Sequence, residues 1–283
     1  MERVLVTGAK GMLGLDVTDV FRETYEVYGR DIDDFDITRD EETMDAIKRI
    51  RPNIVIHAAA YTDVDGSETH FELAQSVNGG GTKNVASACR ELGSKMVYIS
   101  TDYVFDGTKS GAYSEEDATC PINAYGRSKL EGERWVRTLV DQFIIVRTAW
   151  LFGRGGNNFV KTILKLAREK GALSVVNDQV GSPTYAVDLG RAIYVLVEKE
   201  CKGIYHITNG ETCSWYEYAQ EILAISGLSN ISVHPISSDQ LNRAAKRPRN
   251  SVLDRGKFER KTGYRMRSWR GALMDYLKRE GKA

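Results

Sequence analysis

The chain has 283 residues, with 39 Lys and Arg against 39 Asp and Glu, and 42% of its residues are hydrophobic. This balance is typical of an ordinary globular protein and gives no overall charge suited to nucleic acid or an anionic membrane. The four cysteines and four histidines show no ligand spacing, so we predict no zinc site and a reducing, cytoplasmic setting, and we assign no residue as a metal ligand. No apolar run approaches the ~18 residues of a membrane helix, and we expect no signal peptide, because a strand is predicted at once.

That first strand, Val4-Leu5-Val6, runs into a glycine-rich loop. Gly8, Gly11 and Gly14 lie three apart, and apolar residues at helical spacing follow Gly14. A strand, a glycine loop and a helix N-terminus together form an anion site, because backbone N–H groups and the helix dipole point at the ligand. The loop therefore predicts a pyrophosphate site for a dinucleotide, in the spacing typical of short-chain dehydrogenases and their extended relatives.

The second predicted strand, Tyr25–Gly29, ends at Arg30 and Asp31. A carboxylate at this point would accept from a ribose 2′-hydroxyl and favour NAD. An arginine would pair with a 2′-phosphate and favour NADP, so the preference stays open. The segment Asp36-Ile37 is a candidate adenine contact, or alternatively Asp36 caps the helix expected from Asp40.

Two further strands are predicted to end in residues suited to a ligand. Asn53–His57 leads into Ala58-Ala59-Ala60, whose small side chains leave room for a cofactor or allow tight helix packing. In the helix expected from Glu68 to Cys89, with a break near its three glycines, Asn78 either orders a catalytic water or is exposed. Lys95–Ile99 leads to Thr101, which binds a substrate carbonyl or caps a loop.

The helix that follows Pro121-Ile122-Asn123 carries Tyr125 and Lys129. Residues four apart project from one helix face. An ammonium beside a phenol favours the phenolate, so we expect Lys129 to lower the Tyr125 pKa from its usual value of about 10. Such a phenol is a usable proton donor near neutral pH, although the same pair occurs by chance on many surface helices.

Several longer motifs occur together in one order along nearly the whole chain. They are Thr7-Gly-x-x-Gly-x-x-Gly14, His57-Ala-Ala-Ala-Tyr-Thr-x-Val-Asp65, Ser100-Thr-Asp-Tyr-Val-Phe-x-Gly107, Tyr125-x-x-x-Lys129, Arg147-Thr-Ala-Trp150-Leu-x-Gly153, Asn157-Asn-Phe159, Asp178-Gln-x-Gly-x-Pro-Thr184 and Arg247-Pro-x-Asn-Ser-x-Leu253. Together they resemble the dTDP-4-dehydrorhamnose reductases, a family of extended short-chain dehydrogenases. The sequence departs from that pattern at Gly66-Ser67-Glu68 and in the run Gly79–Gly81.

The resemblance implies a role for each matching residue. In the catalytic set, Tyr125 would be the general acid, Lys129 would lower its pKa, and Thr101 would orient the carbonyl. Cofactor contacts would come from Gly8, Gly11, Met12, Leu13, Gly14, Arg30, Asp31, Asp36, Ile37, Ala58, Ala59, Ala60, Tyr61, Tyr125 and Lys129. Substrate contacts would come from Thr62, Val64, Thr101, Asp102, Tyr103, Trp150, Asn158 and Arg247.

The order of strands and helices predicts an α/β fold, a Rossmann-type doubly wound parallel sheet with a smaller C-terminal substrate-binding lobe. Residues 1–150 would form the dinucleotide-binding domain, with elements returning from about 185–210, and 151–283 mainly the substrate lobe. That lobe also carries a basic cluster, formed by Arg243, Lys246, Arg247 and Arg249. The cluster would either bind a diphosphate or lie at a solvated helix end.

The predicted activity is NAD(P)H-dependent reduction of the C4 ketone of a dTDP-linked 4-keto-6-deoxy sugar. One alternative is a non-catalytic NADP-binding regulatory subunit on the same fold, which has no chemical need of the set Thr101, Tyr125 and Lys129. Another is a nucleotide-sugar epimerase or dehydratase, although Tyr103 stands where a dehydratase has its Glu beside Asp102. A homodimer and Mg²⁺ are further expectations from the family, and the sequence does not locate a site for the ion.

Overall fold

The computed structural model describes residues 1–281. The strands are β1 (Arg3–Thr7), β2 (Glu26–Arg30), β3 (Ile54–His57), β4 (Lys95–Thr101), β5 (Phe143–Thr148), β6 (Leu151–Phe152), β7 (Ala172–Val176), β8 (Val180–Gly181), β9 (Thr184–Tyr185), β10 (Gly203–His206), β11 (Cys213–Ser214) and β12 (Ser232–Ile236). The α-helices are α1 (Met12–Phe21), α2 (Asp40–Ile50), α3 (Gly66–Thr69), α4 (Phe71–Ala74), α5 (Thr82–Leu92), α6 (Ala124–Leu139), α7 (Phe159–Glu169), α8 (Ala186–Glu198), α9 (Trp215–Ile225), α10 (Gly256–Thr262) and α11 (Trp269–Arg279). A π-helix spans Gln75–Gly81, and 3₁₀ turns span Asp102–Val104 and Ser238–Gln240.

Six parallel strands form the central sheet in the order β10-β5-β4-β3-β1-β2. Alternate side chains of each strand point to opposite faces. In β1, Val4 and Val6 join the core under α1 and α8, whereas Leu5 joins the core under α2 and α5. Both faces are buried, which explains why β1 is a continuous apolar run. The predicted α/β, Rossmann-type doubly wound sheet is confirmed.

The strand order reverses beside β1, because β2 lies on one side of it and β3 on the other. At such a switch point the loops after the two strands diverge and leave a crevice at the carboxyl edge of the sheet. The loop after β1 carries Gly8 to Gly14, and the loop after β3 carries Ala58 to Ala60. The fold therefore brings the two predicted cofactor segments to one crevice.

The second half of the chain contributes to two layers. Helix α8 packs on α1, and β10 pairs with β5 in the main sheet. A separate apolar core lies between α7, α9 and α11, and its largest buried side chain is Trp269. The division into a dinucleotide domain and a substrate lobe at residue 150 stays a prediction. No helix within residues 1–281 is long and apolar enough to cross a membrane.

Most of the helix expected from Glu68 to Cys89 is present, because α4, the π-helix and α5 follow one another without a gap from Phe71 to Leu92, and the short helix α3 precedes them. The expected break at the three glycines is a change to π-helical turns and not an end of the helix. The wide π turn coincides with the three glycines, where the absence of side chains lets neighbouring groups approach. A β-carbon on Gly81 would lie 2.8 Å from Ile37 Cδ1. The glycine therefore lets Ile37, a residue of the crevice, sit directly against this helix.

Candidate active site

The crevice is a cavity of about 850 Å³ at the carboxyl edge of the sheet. Most of the residues that the sequence singled out line it, namely Gly8, Gly11, Met12, Leu13, Gly14, Arg30, Asp31, Asp36, Ile37, Ala58, Ala59, Ala60, Thr62, Val64, Thr101, Asp102, Tyr103, Tyr125, Lys129 and Trp150. Tyr61, Asn158 and Arg247 are not part of the lining. Sequence reasoning missed Lys10, Ser100, Thr148, Asn157 and Trp215, which also line it.

The glycine loop is shaped to hold an anion. Helix α1 begins after Gly11, no side chain caps it, and its first turn carries no acidic residue. The first-turn N–H groups are therefore available to a ligand, and the helix dipole favours a negative charge there. Gly8 has φ +69°, and a β-carbon on it would lie 2.6 Å from Ala59 N. The loop thus fits a pyrophosphate, and the glycine lets it pack on the alanine segment.

Two basic residues line the cavity near the end of β2, Arg30 on the strand and Lys10 in the glycine loop. Each is paired with a carboxylate, Lys10 with Asp33 and Arg30 with Asp34 at 3.9 Å. Asp31 lies between them, but its Oδ2 accepts from the Lys10 backbone N–H at 2.8 Å and its Oδ1 from the Ile32 N–H at 2.9 Å. The carboxylate of Asp31 is therefore used first to hold the glycine loop, while the two basic side chains face the cavity.

Asp36 does not cap α2, so that alternative is wrong. The residue before α2 is Arg39, which makes no side-chain cap hydrogen bond. Instead Asp36 Oδ1 accepts from the Thr38 N–H at 2.9 Å and from the Thr38 hydroxyl at 2.8 Å, and these bonds lower the pKa of the Asp36 carboxyl. Asp36 also lines the cavity, where its role as an adenine contact stays a prediction.

Asn78 is fully buried, so the alternative that it is exposed is wrong. Its Oδ1 accepts from the Tyr61 N–H at 2.9 Å, and its Nδ2 donates to the Tyr61 carbonyl at 3.0 Å and to Ser128 Oγ at 2.9 Å. The amide therefore ties the end of the alanine segment to helix α6. It holds Tyr61 by the backbone, at a position outside the cavity lining.

Thr101, Tyr125 and Lys129 all line the cavity. Asn123 caps helix α6 by accepting from the Gly126 N–H at 2.7 Å, which places Tyr125 in the first turn. Lys129 follows one turn later, is only 3% exposed, and holds its Nζ 4.3 Å from the centre of the Tyr98 ring. The three side chains predicted to be catalytic are thus brought together.

The predicted effect on the Tyr125 pKa is wrong for this structure. Burial and the nearby carboxylate of Asp102 raise the pKa of Tyr125 above its usual value, against a smaller lowering by the Thr101 hydrogen bond. Burial also lowers the pKa of Lys129 to about 7, against the opposing charge of Glu133. Tyr125 therefore stays protonated at neutral pH, which suits a proton donor.

Two tryptophans from different parts of the chain stack in the cavity. Trp150, just after β5, and Trp215, the first residue of α9, have ring centroids 3.5 Å apart and planes at 7°. Trp150 has φ +49°, an uncommon backbone conformation for a bulky residue. A β-carbon on Gly181 would lie 2.7 Å from Trp150 Nε1, so the absence of a side chain at Gly181 lets the indole pack closely against its backbone.

Two residues predicted to contact the substrate have structural partners. Asn158 caps α7, accepting from the Lys161 N–H at 3.0 Å, and donates to the Gly153 carbonyl at 2.9 Å. Arg247 donates to Asp65 through bonds of 2.8 and 3.0 Å, and these bonds outweigh the opposing effect of burial and lower the Asp65 pKa to about 2. The guanidinium predicted to bind a diphosphate is thus already engaged, and its placement does not support that role.

Within the part of the chain that the structure describes, no group of three or more His, Cys, Asp or Glu side chains is arranged to hold a metal ion. The expected Mg²⁺ therefore finds no support.

The chain is similar to known proteins over nearly its whole length. The family model described as "RmlD substrate binding domain" matches residues 1–281. The dTDP-4-dehydrorhamnose reductase of Aggregatibacter actinomycetemcomitans is 42% identical, over 96% of this chain and 97% of its own length. The dTDP-4-keto-6-deoxy-D-glucose reductase of Streptomyces niveus is 39% identical, over 96% and 95%.

Among solved structures, dTDP-4-dehydrorhamnose reductase from Bacillus anthracis in complex with NADP matches with a TM-score of 0.95 and 41% identity, covering 98% of this chain and 99% of that one. Both the sequence match and the fold match extend over nearly the whole length. The chain therefore belongs to the RmlD substrate-binding-domain family, the family of the dTDP-4-dehydrorhamnose reductases.

Proposed function

We propose that the protein catalyses the NAD(P)H-dependent reduction of the C4 ketone of dTDP-4-dehydro-6-deoxy-L-mannose (dTDP-4-dehydro-L-rhamnose) to dTDP-L-rhamnose, in nucleotide-sugar and polysaccharide biosynthesis. One observation carries the proposal. A single cavity joins a helix N-terminus built for a pyrophosphate to the set Thr101, Tyr125 and Lys129, in a chain whose full-length relatives are named as reductases of dTDP-linked keto sugars.

A bound reduced nicotinamide supplies the hydride. The chain's own part on that side is to bind and orient. The N–H groups of the first turn of α1 would hold the pyrophosphate, with Gly8 and Gly14 allowing its close approach. Ala58 and Ala60 at the end of β3 would leave room for the nicotinamide beside Tyr125.

On the substrate side, Tyr125 would give its phenolic proton to the alkoxide that develops at the sugar C4 oxygen, and the Thr101 hydroxyl would donate to the same oxygen. A raised pKa keeps Tyr125 protonated until that oxygen becomes the stronger base. Lys129, when charged, would stabilise the phenolate that remains. Residues that line the cavity around this point would surround the sugar, namely Thr62, Val64, Asp102, Tyr103 and Trp150.

For the cofactor, we propose that the site accepts both forms and prefers NADPH. Lys10 and Arg30 would offer two positive charges to a 2′-phosphate, which would take the place of their present partners Asp33 and Asp34. Asp31, whose carboxylate oxygens already accept two backbone N–H bonds, would still accept from a 2′-hydroxyl. The Bacillus anthracis relative is described in complex with NADP.

The rival functions have less support. A regulatory subunit would not need Thr101, Tyr125 and Lys129 assembled in one cavity. An epimerase or dehydratase would return its cofactor to the starting oxidation state, and Tyr103 occupies the position where a dehydratase would have a second carboxylate. A cytoplasmic location and a homodimer remain predictions, and we propose no nucleic-acid or membrane partner.

The test uses two keto sugars that differ at C3 and C5. dTDP-4-keto-6-deoxy-D-glucose is made with the upstream dehydratase alone, and the L-sugar with dehydratase and epimerase together. Loss of reduced-nicotinamide absorbance is followed with NADPH and NADH, and the product is identified by NMR. We expect one reduced cofactor to be oxidised for each molecule of the L-sugar. Reduction of the D-sugar alone would shift the assignment toward the activity named for the Streptomyces niveus relative. If neither sugar led to oxidation of the cofactor, the proposed reductase activity would be wrong.

A further inference from the structure

The hydroxyl of Thr101 does not point its hydrogen at the substrate space. Thr101 Oγ1 donates to Asp102 Oδ1 at 3.0 Å, accepts from the Tyr103 N–H at 3.2 Å and lies within hydrogen-bond reach of the Tyr125 hydroxyl. A hydroxyl has one hydrogen and two lone pairs. While Asp102 is a carboxylate it takes that hydrogen, and Thr101 has none left for the oxygen of a ketone.

The surroundings of Asp102 favour its neutral, protonated form. It is 3% exposed, and its Oδ2 is buried without a hydrogen-bond partner of good geometry. Facing it are the phenols of Tyr103 on its own segment and of Tyr125 on α6, the hydroxyl of Ser251, and beyond Tyr103 the guanidinium of Arg247. Burial is the largest influence and raises the pKa of Asp102 to about 6.

We propose that protonation of Asp102 turns Thr101 from a donor to that carboxylate into a donor to the C4 oxygen of the substrate. Protonated Asp102 donates its own O–H to Thr101 Oγ1, which then accepts from Asp102 and from the Tyr103 N–H and has its hydrogen free. The proton stays on Asp102 throughout, so the proton balance of the reduction is unchanged and Tyr125 remains the acid. Asp102 is thus a positioning residue, an inference that rests on the proposed function.

Activity should depend on the protonation of Asp102. The pH profile of kcat/KM reports groups of the free enzyme. Wild-type kcat/KM should be highest below about pH 6 and should fall as Asp102 loses its proton. One lost donor to a developing oxyanion reduces turnover by roughly 100- to 1,000-fold. A drop of about 10- to 100-fold up to pH 8 is therefore expected, because a fraction of Asp102 remains protonated there.

The experiment compares kcat/KM from pH 5 to pH 8 in the wild type, Asp102→Asn and Thr101→Val. Asp102→Asn cannot titrate and Thr101→Val has no hydroxyl to redirect, so both should lose the decline near pH 6. A separate decline near pH 7, from loss of the Lys129 proton, should remain in all three proteins. Infrared difference spectra between the same pH limits should show a carboxylic-acid band that Asp102→Asn lacks and Thr101→Val keeps.

A decline near pH 6 retained in either variant would overturn the inference, as would an infrared band that Asp102→Asn does not remove. Thermal melting of each variant shows whether it is folded. The two proposals fail separately. A wild type that oxidises no reduced cofactor at any pH contradicts the proposed reductase, whereas an active wild type with an unaltered pH decline in Asp102→Asn contradicts only the role of Asp102.

Discussion

Glu133 and Arg147 form a bidentate ion pair inside the protein. Arg147 Nε and Nη2 lie 2.8 and 2.7 Å from the two carboxylate oxygens of Glu133, and neither side chain is more than 3% exposed. The pair joins α6 to β5, and Ser100 at the end of β4 donates to the same carboxylate at 2.6 Å. It therefore fixes the helix of Tyr125 and Lys129 against the strand end that carries Thr101.

Glu133→Ala should destabilise the fold by about 3–5 kcal/mol, because it leaves the buried guanidinium of Arg147 without its counter-charge. Urea unfolding followed by circular dichroism measures the loss. The control is the double variant Glu133→Leu with Arg147→Met, which removes both charges and should cost much less than Glu133→Ala. If the double variant lost as much free energy of unfolding as the two single substitutions added together, the unpaired charge would not be the cause of the destabilisation.

The sequence predicted the parts of the site that local patterns describe. Glycines between a first strand and a first helix, and Thr101 at a strand end, depend on the chain near them. The sequence could not predict the ion pair of Glu133 with Arg147, or that of Asp65 with Arg247, because side-chain pairing across the fold leaves no periodic signal. Asp65 and Arg247 are 182 residues apart in the chain. The direction of the Tyr125 pKa shift was wrong for a similar reason, since burial depends on tertiary packing.

Tyr125→Phe should lower kcat by at least about 100-fold, the usual contribution of a general acid, while cofactor binding changes little. Tyr194→Phe is the control, since it removes a phenol hydroxyl on α8 that lies outside the lining of the active-site cavity. Turnover is followed by cofactor oxidation and binding by fluorescence titration. Near-normal turnover in Tyr125→Phe would remove that residue from the catalytic role.

Lys129 should make the fold more stable as pH rises from 7 to 9. The unfolded chain keeps this proton up to the ordinary lysine pKa of 10.5, whereas the folded chain holds it only up to about 7. The unfolded state therefore binds more protons in this window, and raising the pH favours the native state. Below pH 7, Lys129→Met should be more stable than the wild type by on the order of 2–4 kcal/mol, and inactive.

That advantage of Lys129→Met should shrink by about 1.4 kcal/mol for each pH unit above 7. Urea unfolding at several pH values measures it. Lys83→Met is the control, because it removes an exposed ammonium that lies over Trp135. The pKa assignment would be wrong if the difference between Lys129→Met and the wild type were the same at pH 7 and pH 9.

Arg30→Ala should raise KM for NADPH by about 10-fold or more and change KM for NADH little, because only the former carries the 2′-phosphate that a charge-assisted bond to arginine would hold. Initial rates with each cofactor measure the ratio. Arg39→Ala, which removes an exposed arginine outside the cavity lining, serves as the control. Equal changes for the two cofactors would place the 2′-phosphate elsewhere.

Trp215→Ala should raise KM for the sugar while leaving KM for the cofactor unchanged. The indole of Trp215 covers one face of Trp150, and the backbone of Gly181 also packs closely against the Trp150 ring. Trp150 has φ +49°, a conformation that a tryptophan rarely adopts. Removing one covering ring frees the Trp150 side chain that we propose contacts the sugar.

An aromatic pair contributes about 0.5–1.5 kcal/mol beyond the area that it buries, so a rise in KM of roughly 2- to 10-fold is expected. Trp215→Phe keeps a smaller ring on Trp150, so its KM for the sugar should lie between those of the wild type and Trp215→Ala. Trp135→Phe, on α6 beneath Lys83, changes a tryptophan outside the cavity and should leave both KM values as they are. An unchanged sugar KM in Trp215→Ala would mean that the stack does not position Trp150 for binding.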